Sequence, residues 1–209
     1  MFRTFGAILA VAALAVAATV SGELVFDRGQ LTLKEMDGMT TVSLGRCVST
    51  WETGAPAVPI AVAQLVVPQD MKVVGIRLDA VEAETVPGTF DVYPVQPPRP
   101  ISDPGPFAFV TPDPKYYAST YPAEVATTGH QGSMFGYNIA SVFVAPVQYN
   151  GTDKSLVIHP RVRFTIELEP ADLGNLRPGN RSPEARRRVE ASVASIVLNP
   201  QDVAAYAPH

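Results

Sequence analysis

The sequence predicts an all-β protein: an antiparallel β-sandwich or jelly-roll-like domain that follows a signal peptide and ends in a short helical tail. Three observations favour this class. Several segments alternate apolar and polar residues with a period of two, as half-buried strands do. The 209 residues include 15 glycines and 20 prolines, spread along the chain, and no long helical pattern occurs before residue 180. Strands joined by glycine and proline turns are typical of sandwiches and barrels.

The first 22 residues have the pattern of a secretory signal peptide. Arg3 supplies a positive start, an alanine-rich apolar run follows, and small residues close it. The run is too short and too rich in small side chains for a comfortable membrane span. We expect cleavage near Gly22, with Ala17 and Ala18 as competing positions. The mature chain is therefore expected to be secreted, extracellular or periplasmic, and free of the membrane.

Residues 23–170 are predicted to form the β domain. Alternation marks "LTLKEM", "VVGIRLDAVE", "FGYNIASVFVAPVQY" and "SLVIHPRVRFTIELE" as strands. In the second of these, the apolar phase changes near Ala80, which predicts a β-bulge. A polar loop containing Asn150-Gly151 separates the third segment from the fourth and predicts an antiparallel hairpin.

The last of these segments has the strictest alternation. We expect Val162, Phe164 and Ile166 to share one core with Tyr137 between two sheets. Pro160 interrupts the alternation and predicts an edge position or a bulge. His159 falls on the polar face and is expected to be exposed.

The C-terminal part has a different composition. Residues 171–182 are interpreted as a linker, and residues 183–209 as a helical tail leading towards a peptidase domain that is absent from this chain. Ser182 is predicted to cap a helix that starts at a proline, and Asn199 to cap a second one.

A basic run, Arg186, Arg187 and Arg188, lies on the first predicted helix of this tail. It has two interpretations, a solvated helix face or a proteolytic processing site beside a linker, and both stay open.

Composition and motifs exclude several functions. The 16 basic and 20 acidic residues give a net charge of −4, so no basic field for nucleic acid is present. The single cysteine, Cys47, cannot form an internal disulfide and has no histidine near it in sequence, which favours a small buried hydrophobic residue. The three histidines lack the spacing of a metal pair. We therefore expect no metal, no cofactor and no catalytic residue.

The segment "YPVQPPRPISDPGP", residues 93–106, contains six prolines. Proline lacks an N–H and restricts the residue before it to extended geometry, so this segment is predicted to be a stiff loop. Arg99 stands between Pro98 and Pro100. On these residues alone, Arg99 is either an ordinary exposed arginine or a recognition residue.

Four blocks resemble the propeptides of the gingipain family of cysteine peptidases. They are "GAPAVPIAVAQLVVPQD", "FDVYPVQPPRPISD", "YPAEV" and "FGYNIASVFVAPVQYN", in which "APVQYN" is the most specific run. In order, they cover roughly residues 24–170.

The resemblance implies a non-catalytic N-terminal prodomain of a secreted bacterial cysteine peptidase, which assists folding and inhibits the enzyme until it is removed. Its partner would be the cognate peptidase catalytic domain, in cis if the reading frame continues and in trans otherwise. In Arg-specific members of the family, an arginine on a loop reaches the specificity pocket. The matching arginine here is Arg99, with Pro98 and Pro100 beside it, whereas a Lys-specific member would present lysine. The alternative reading is a free-standing exported β-sandwich that serves in binding or adhesion.

Overall fold

The computed structural model describes residues 18–100, 102, 105, 108–173 and 181–207. Within them, antiparallel strands dominate, and the helices are short. The strands are β1 (Ala18–Val25), β2 (Leu31–Met36), β3 (Met39–Leu44), β4 (Val48–Ser49), β5 (Pro59–Val67), β6 (Met71–Val81), β7 (Glu84–Val86), β8 (Thr120–Tyr121), β9 (Ala126–Met134), β10 (Tyr137–Val144), β11 (Val147–Asn150), β12 (Ser155–Ile158) and β13 (Arg161–Pro170). The α-helices are α1 (Pro114–Tyr117) and α2 (Pro183–Ala194), with 3₁₀ turns at Arg28–Gln30 and Pro200–Asp202.

The main core lies between two sheets. One sheet has the strand order β1-β13-β6 and the other β4-β5-β10-β9. The inward side chains of β13 are fully buried, Val162, Phe164 and Ile166 among them, and they pack with residues of β5 and β10. Period-two alternation sends one face of each strand inward, which explains the sandwich.

A second core lies under the sheet with the order β7-β12-β11-β8. The β2–β3 hairpin covers it with Val42 and Leu44, and Tyr149 and Leu156 fill its centre. The predicted hairpin across Asn150-Gly151 is confirmed, because β11 pairs with β12 from Val147↔Ile158 to Asn150↔Ser155.

The alternating segment 155–169 forms two strands that belong to different sheets. Leu156 and Ile158 lie in the second core, whereas Val162 and Phe164 lie in the main core. The chain passes from one sheet to the other at His159 and Pro160. Pro160 thus ends a pairing segment, as a residue without an N–H does.

The prediction of a bulge near Ala80 is also confirmed. β13 pairs with β6, and the register shifts between the pairs Arg163↔Ala80 and Phe164↔Leu78. Asp79 is therefore the extra residue.

The C-terminal segment covers the outer face of the β5–β10 pair. Val193, Val197 and Val203 pack there against Val66 and Tyr137. The prediction that Tyr137 shares the main core is therefore wrong. The inward residues of β10 include Ala140, Val142 and Val144. The larger side chains of Tyr137, Ile139 and Phe143 lie on the opposite face, so side-chain size indicated the wrong face.

The two helix caps predicted for this segment have different outcomes. Ser182 caps α2 by accepting a hydrogen bond from the amide of Ala185 (3.3 Å). Asn199 makes no cap hydrogen bond. Its side-chain amide accepts from the Val66 N–H (2.9 Å) and donates to the Val66 carbonyl (2.8 Å), so it joins the tail to β5 as a neighbouring strand would.

Candidate functional site

The candidate site is the proline-rich loop, defined here as residues 96–110. Its outgoing arm is fixed to the body by backbone hydrogen bonds, from Gly54 N–H to the Val95 carbonyl (2.8 Å) and from Val95 N–H to the Ala55 carbonyl (2.8 Å). The returning arm is fixed where the Asp113 N–H donates to the Gly54 carbonyl (3.0 Å). Both arms therefore leave the same point of the sandwich.

Gln96 closes the base of this loop. Its side-chain Nε2 donates to the Val110 carbonyl (3.0 Å), and its Oε1 accepts from the Val110 N–H (2.9 Å). Nε2 also lies 3.0 Å from the Pro94 carbonyl. Prolines cannot donate backbone hydrogen bonds, so a side-chain amide supplies the pairing that a strand would otherwise make.

An aromatic pair supports the same base. The rings of Tyr93 and Phe109 meet edge to face, with centroids 5.6 Å apart. Asp113 then caps α1 by accepting from the Lys115 N–H (2.9 Å), which fixes the return of the chain into the body.

The tip of the loop presents the residues singled out from the sequence. Pro98, Arg99 and Pro100 are all exposed. The Arg99 guanidinium donates to the Gly105 carbonyl across the loop. Without a partner protein, the side chain therefore contacts its own loop. Residues 101, 103, 104, 106 and 107 lie outside the described residues.

The other sequence-predicted site, Arg186, Arg187 and Arg188, lies on α2 and not on the proline-rich loop. All three side chains are exposed, and Arg188 pairs with Glu184 one turn earlier. A peptidase binds its substrate extended, so cleavage here requires that this part of α2 unwinds. The preceding residues 174–180, most of the predicted linker, lie outside the described residues.

Cys47 is half-buried and unpaired by any disulfide. Burial raises the pKa of its thiol, which disfavours the nucleophilic thiolate. Among the described residues, no group of three or more His, Cys, Asp or Glu side chains is placed to hold a metal ion.

The expectation that His159 is exposed is wrong, since only 4% of the residue is accessible. Its Nδ1 lies 3.0 Å from the Glu82 carbonyl oxygen and its Nε2 2.8 Å from Gln148 Oε1. Burial lowers the pKa of the imidazole. The alternation pattern predicted the wrong environment for His159 because the chain passes from one sheet to the other at this residue.

Gln96 is the functional candidate that the sequence did not reveal. Its position among prolines is the only sequence signal for a role. Its partner Val110 lies 14 residues along the chain, so the local sequence does not indicate the contact.

A family comparison agrees with this architecture. The Propeptide_C25 family model matches residues 24–179. The chain belongs to this family, the propeptides of gingipain-type cysteine peptidases.

Two solved structures from Porphyromonas gingivalis have the same fold. One chain from a structure of the complex of the RgpB pro- and mature domains aligns with a TM-score of 0.65 at 17% identity. The alignment covers 90% of this chain and 95% of that chain. A structure described as giving insight into the zymogenic latency of gingipain K aligns with a TM-score of 0.59 at 22% identity, over 78% of this chain and 98% of that one. No functionally curated protein matches the chain.

None of the helices among the described residues is both long and apolar enough to cross a membrane.

Proposed function

We propose that this propeptide is a non-catalytic inhibitor and folding aid of a gingipain-type cysteine peptidase, and that the proline-rich loop enters the active-site cleft as an uncut substrate mimic. One observation carries the proposal: a loop stiffened by prolines and closed at its base by Gln96 presents an exposed Arg99. The family and the fold support the peptidase domain as the partner, in cis or in trans. They also favour this function over the free-standing binding or adhesion module.

The stiffness of the loop bears directly on affinity. Binding a flexible segment costs ordering entropy, and a loop held extended before binding has less entropy to lose. Six prolines between residues 93 and 106 restrict the backbone, and the Gln96–Val110 contact joins the two arms.

The chemistry of Arg99 suits a pocket that contains a carboxylate. A guanidinium binds a carboxylate through two parallel, charge-assisted hydrogen bonds, which a lysine cannot reproduce. To enter the pocket, Arg99 exchanges its hydrogen bond to the Gly105 carbonyl for that pair. An Arg-specific peptidase is thus the expected target.

Pro100 follows the bond that the enzyme would cut. It removes the N–H at that bond and fixes its φ angle. The loop would then occupy the cleft without being cleaved efficiently.

The remaining parts of the proposal concern export and maturation. The signal peptide directs the chain out of the cytoplasm, to the periplasm or the extracellular space. Cleavage at Arg186, Arg187 and Arg188 is the proposed maturation step, and it requires local unwinding of α2.

The test is the inhibition constant of the purified chain against Arg-specific and Lys-specific gingipain-type peptidases. Arg99→Ala removes the side chain that would pair with the pocket, and the loss of one partner of a buried charge pair costs about 2–5 kcal/mol. Inhibition of the Arg-specific enzyme should weaken by roughly 30-fold to several thousand-fold. Arg99→Lys should lose part of this affinity.

Arg46→Ala is the matched control, because Arg46 is also exposed but lies on the turn after β3. It should inhibit like the parent chain, and thermal unfolding of both alanine variants should be nearly unchanged. If Arg99→Ala inhibits as tightly as the parent, the loop is not the inhibitory element.

A further inference from the structure

The first strand extends upstream of the cleavage position that the sequence favours. Among the described residues β1 spans Ala18–Val25. Residues Ala18 to Gly22 form five of its eight residue pairs with β13, and Ala18 packs against the main core. We propose that signal peptidase cuts after Ala17, so that the mature chain begins at Ala18 and keeps the pairs that residues Ala18 to Gly22 make with β13. This inference rests on the export part of the proposed function and does not depend on the inhibitory part.

A cut after Gly22 would remove apolar contacts that β1 makes with the main core. Val20 is 5% exposed and belongs to the main core with Phe164 and Ile166. Gly22 lies directly against the Phe164 ring, where an added Cβ would be 2.7 Å from the ring edge. A chain that began at Glu23 would uncover this side of Phe164.

The polar contacts give the same result. Ser21 Oγ lies 2.8 Å from Thr165 Oγ1, and Thr165 is buried and also donates to Asp79 Oδ2 (2.6 Å). A cut after Gly22 removes the Ser21 partner of this buried hydroxyl. A buried polar group that loses a hydrogen-bond partner is destabilising.

The charge that a later cut creates is also unfavourable. Glu23 accepts hydrogen bonds from Arg161 (2.6 Å) and Arg163 (2.7 Å), and these arginines lower the pKa of its carboxyl group. A cut before Glu23 would place a positive α-amino group on this residue, beside two guanidinium groups of the same sign.

The sequence permits the earlier cut. Signal peptidases require small residues at the first and third positions before the bond, and Ala15-Val16-Ala17 supplies both. The apolar run then extends from Ala7 to Leu14, within the usual length of about 7–15 residues. Gly22 and Ala18 also place a small residue directly before a bond, so the sequence leaves three positions open. The pairs of Ala18 to Gly22 with β13 favour the bond after Ala17.

The experiment is expression of the full chain with its own leader in a Sec-competent bacterial host. The exported protein is purified, and its intact mass and N-terminal peptide are determined by mass spectrometry. A first residue of Ala18 is expected. A mature chain that begins at Thr19 or at Glu23 overturns the assignment.

Two leader variants identify the bond independently. Ala17→Leu places a large residue directly before it and should cause uncut precursor to accumulate. Ala13→Leu makes the same change inside the apolar run and should be processed like the parent. Normal processing of Ala17→Leu at Ala18 would also overturn the proposal.

A stability comparison tests the structural reason. Chains that start at Ala18 and at Glu23 are produced without a leader, and their unfolding midpoints in urea are measured. The Glu23 start should unfold at a clearly lower urea concentration, or fail to fold. Equal midpoints would show that residues 18–22 add nothing to the fold and would contradict the argument from β1.

Discussion

Replacement of Gln96 by methionine tests whether the loop base must be closed for inhibition. Methionine has a similar size and shape but cannot make the two hydrogen bonds that join Gln96 to Val110. The loop should keep its prolines and its Arg99, but its two arms should separate more freely. The substitution thus changes the order of the loop without changing the side chain that would enter the pocket.

The size of the effect follows from those two bonds. A protein hydrogen bond contributes about 0.5–1.5 kcal/mol net. Two such bonds together contribute about 1–3 kcal/mol. Gln96 and Val110 are half-buried, so water can replace part of each lost bond, and we expect the closed loop base to lose about 1–2 kcal/mol of stabilisation. If binding must restore this order, the inhibition constant should rise by about 5- to 30-fold.

The assay measures the inhibition constant together with the rate at which the peptidase cuts after Arg99, since a looser loop should be a better substrate. Gln69→Met is the matched control, because Gln69 bonds to the Tyr206 carbonyl (3.3 Å), away from the loop. Thermal unfolding should change little in either variant. If Gln96→Met inhibits as tightly as the parent and is cut no faster, pre-ordering of the loop is not part of the mechanism.

Four further outcomes are expected. Phe164→Ala empties a fully buried position and should lower the free energy of unfolding by about 3–5 kcal/mol; an unchanged urea midpoint would contradict this. Asn199→Ala leaves the buried N–H and carbonyl of Val66 without partners, so chemical denaturation should show a loss of about 2–4 kcal/mol. Burial raises the pKa of Cys47, so at pH 8 iodoacetamide should alkylate the Cys47 thiol more slowly than it alkylates the thiol of glutathione. Unfolding in guanidinium chloride should remove the difference between the two rates. Limited digestion with proteinase K, which can cut both segments because it does not require a basic residue, should cut first near residues 186–188. A first cut within residues 93–106 would identify the loop as the weaker point.

Features that depend on near neighbours in sequence could be predicted. The alternation at Val162, Phe164 and Ile166 identified inward side chains, because the side-chain period of a strand is fixed by its backbone geometry. The Ser182 cap was predicted for a similar reason, since its partner Ala185 is three residues away.

Features that depend on distant partners could not be predicted. Asn199 has the residue type and position of a cap, but its hydrogen bonds go to Val66, which belongs to another layer of the fold. Tyr137 was assigned to the wrong core because the C-terminal segment buries the outer face of β10, and two-sided burial removes the polar half of an alternating pattern.

The candidate site divides in the same way. The prolines on either side of Arg99 predict a stiff exposed segment from local chemistry alone. The closure by Gln96 depends on the return path of the chain to Val110, which local sequence does not specify.

The packing of the C-terminal segment changes what a cut at the basic run would accomplish. Residues beyond the run remain fixed to the sandwich by the buried side chains of Val193 and Val203 and by the pairing of Asn199 with Val66. The two fragments would stay together as a nicked complex, separable on a denaturing gel but not by size-exclusion chromatography. Breaking the chain and dissociating the propeptide are therefore two distinct events, and the second needs its own driving force.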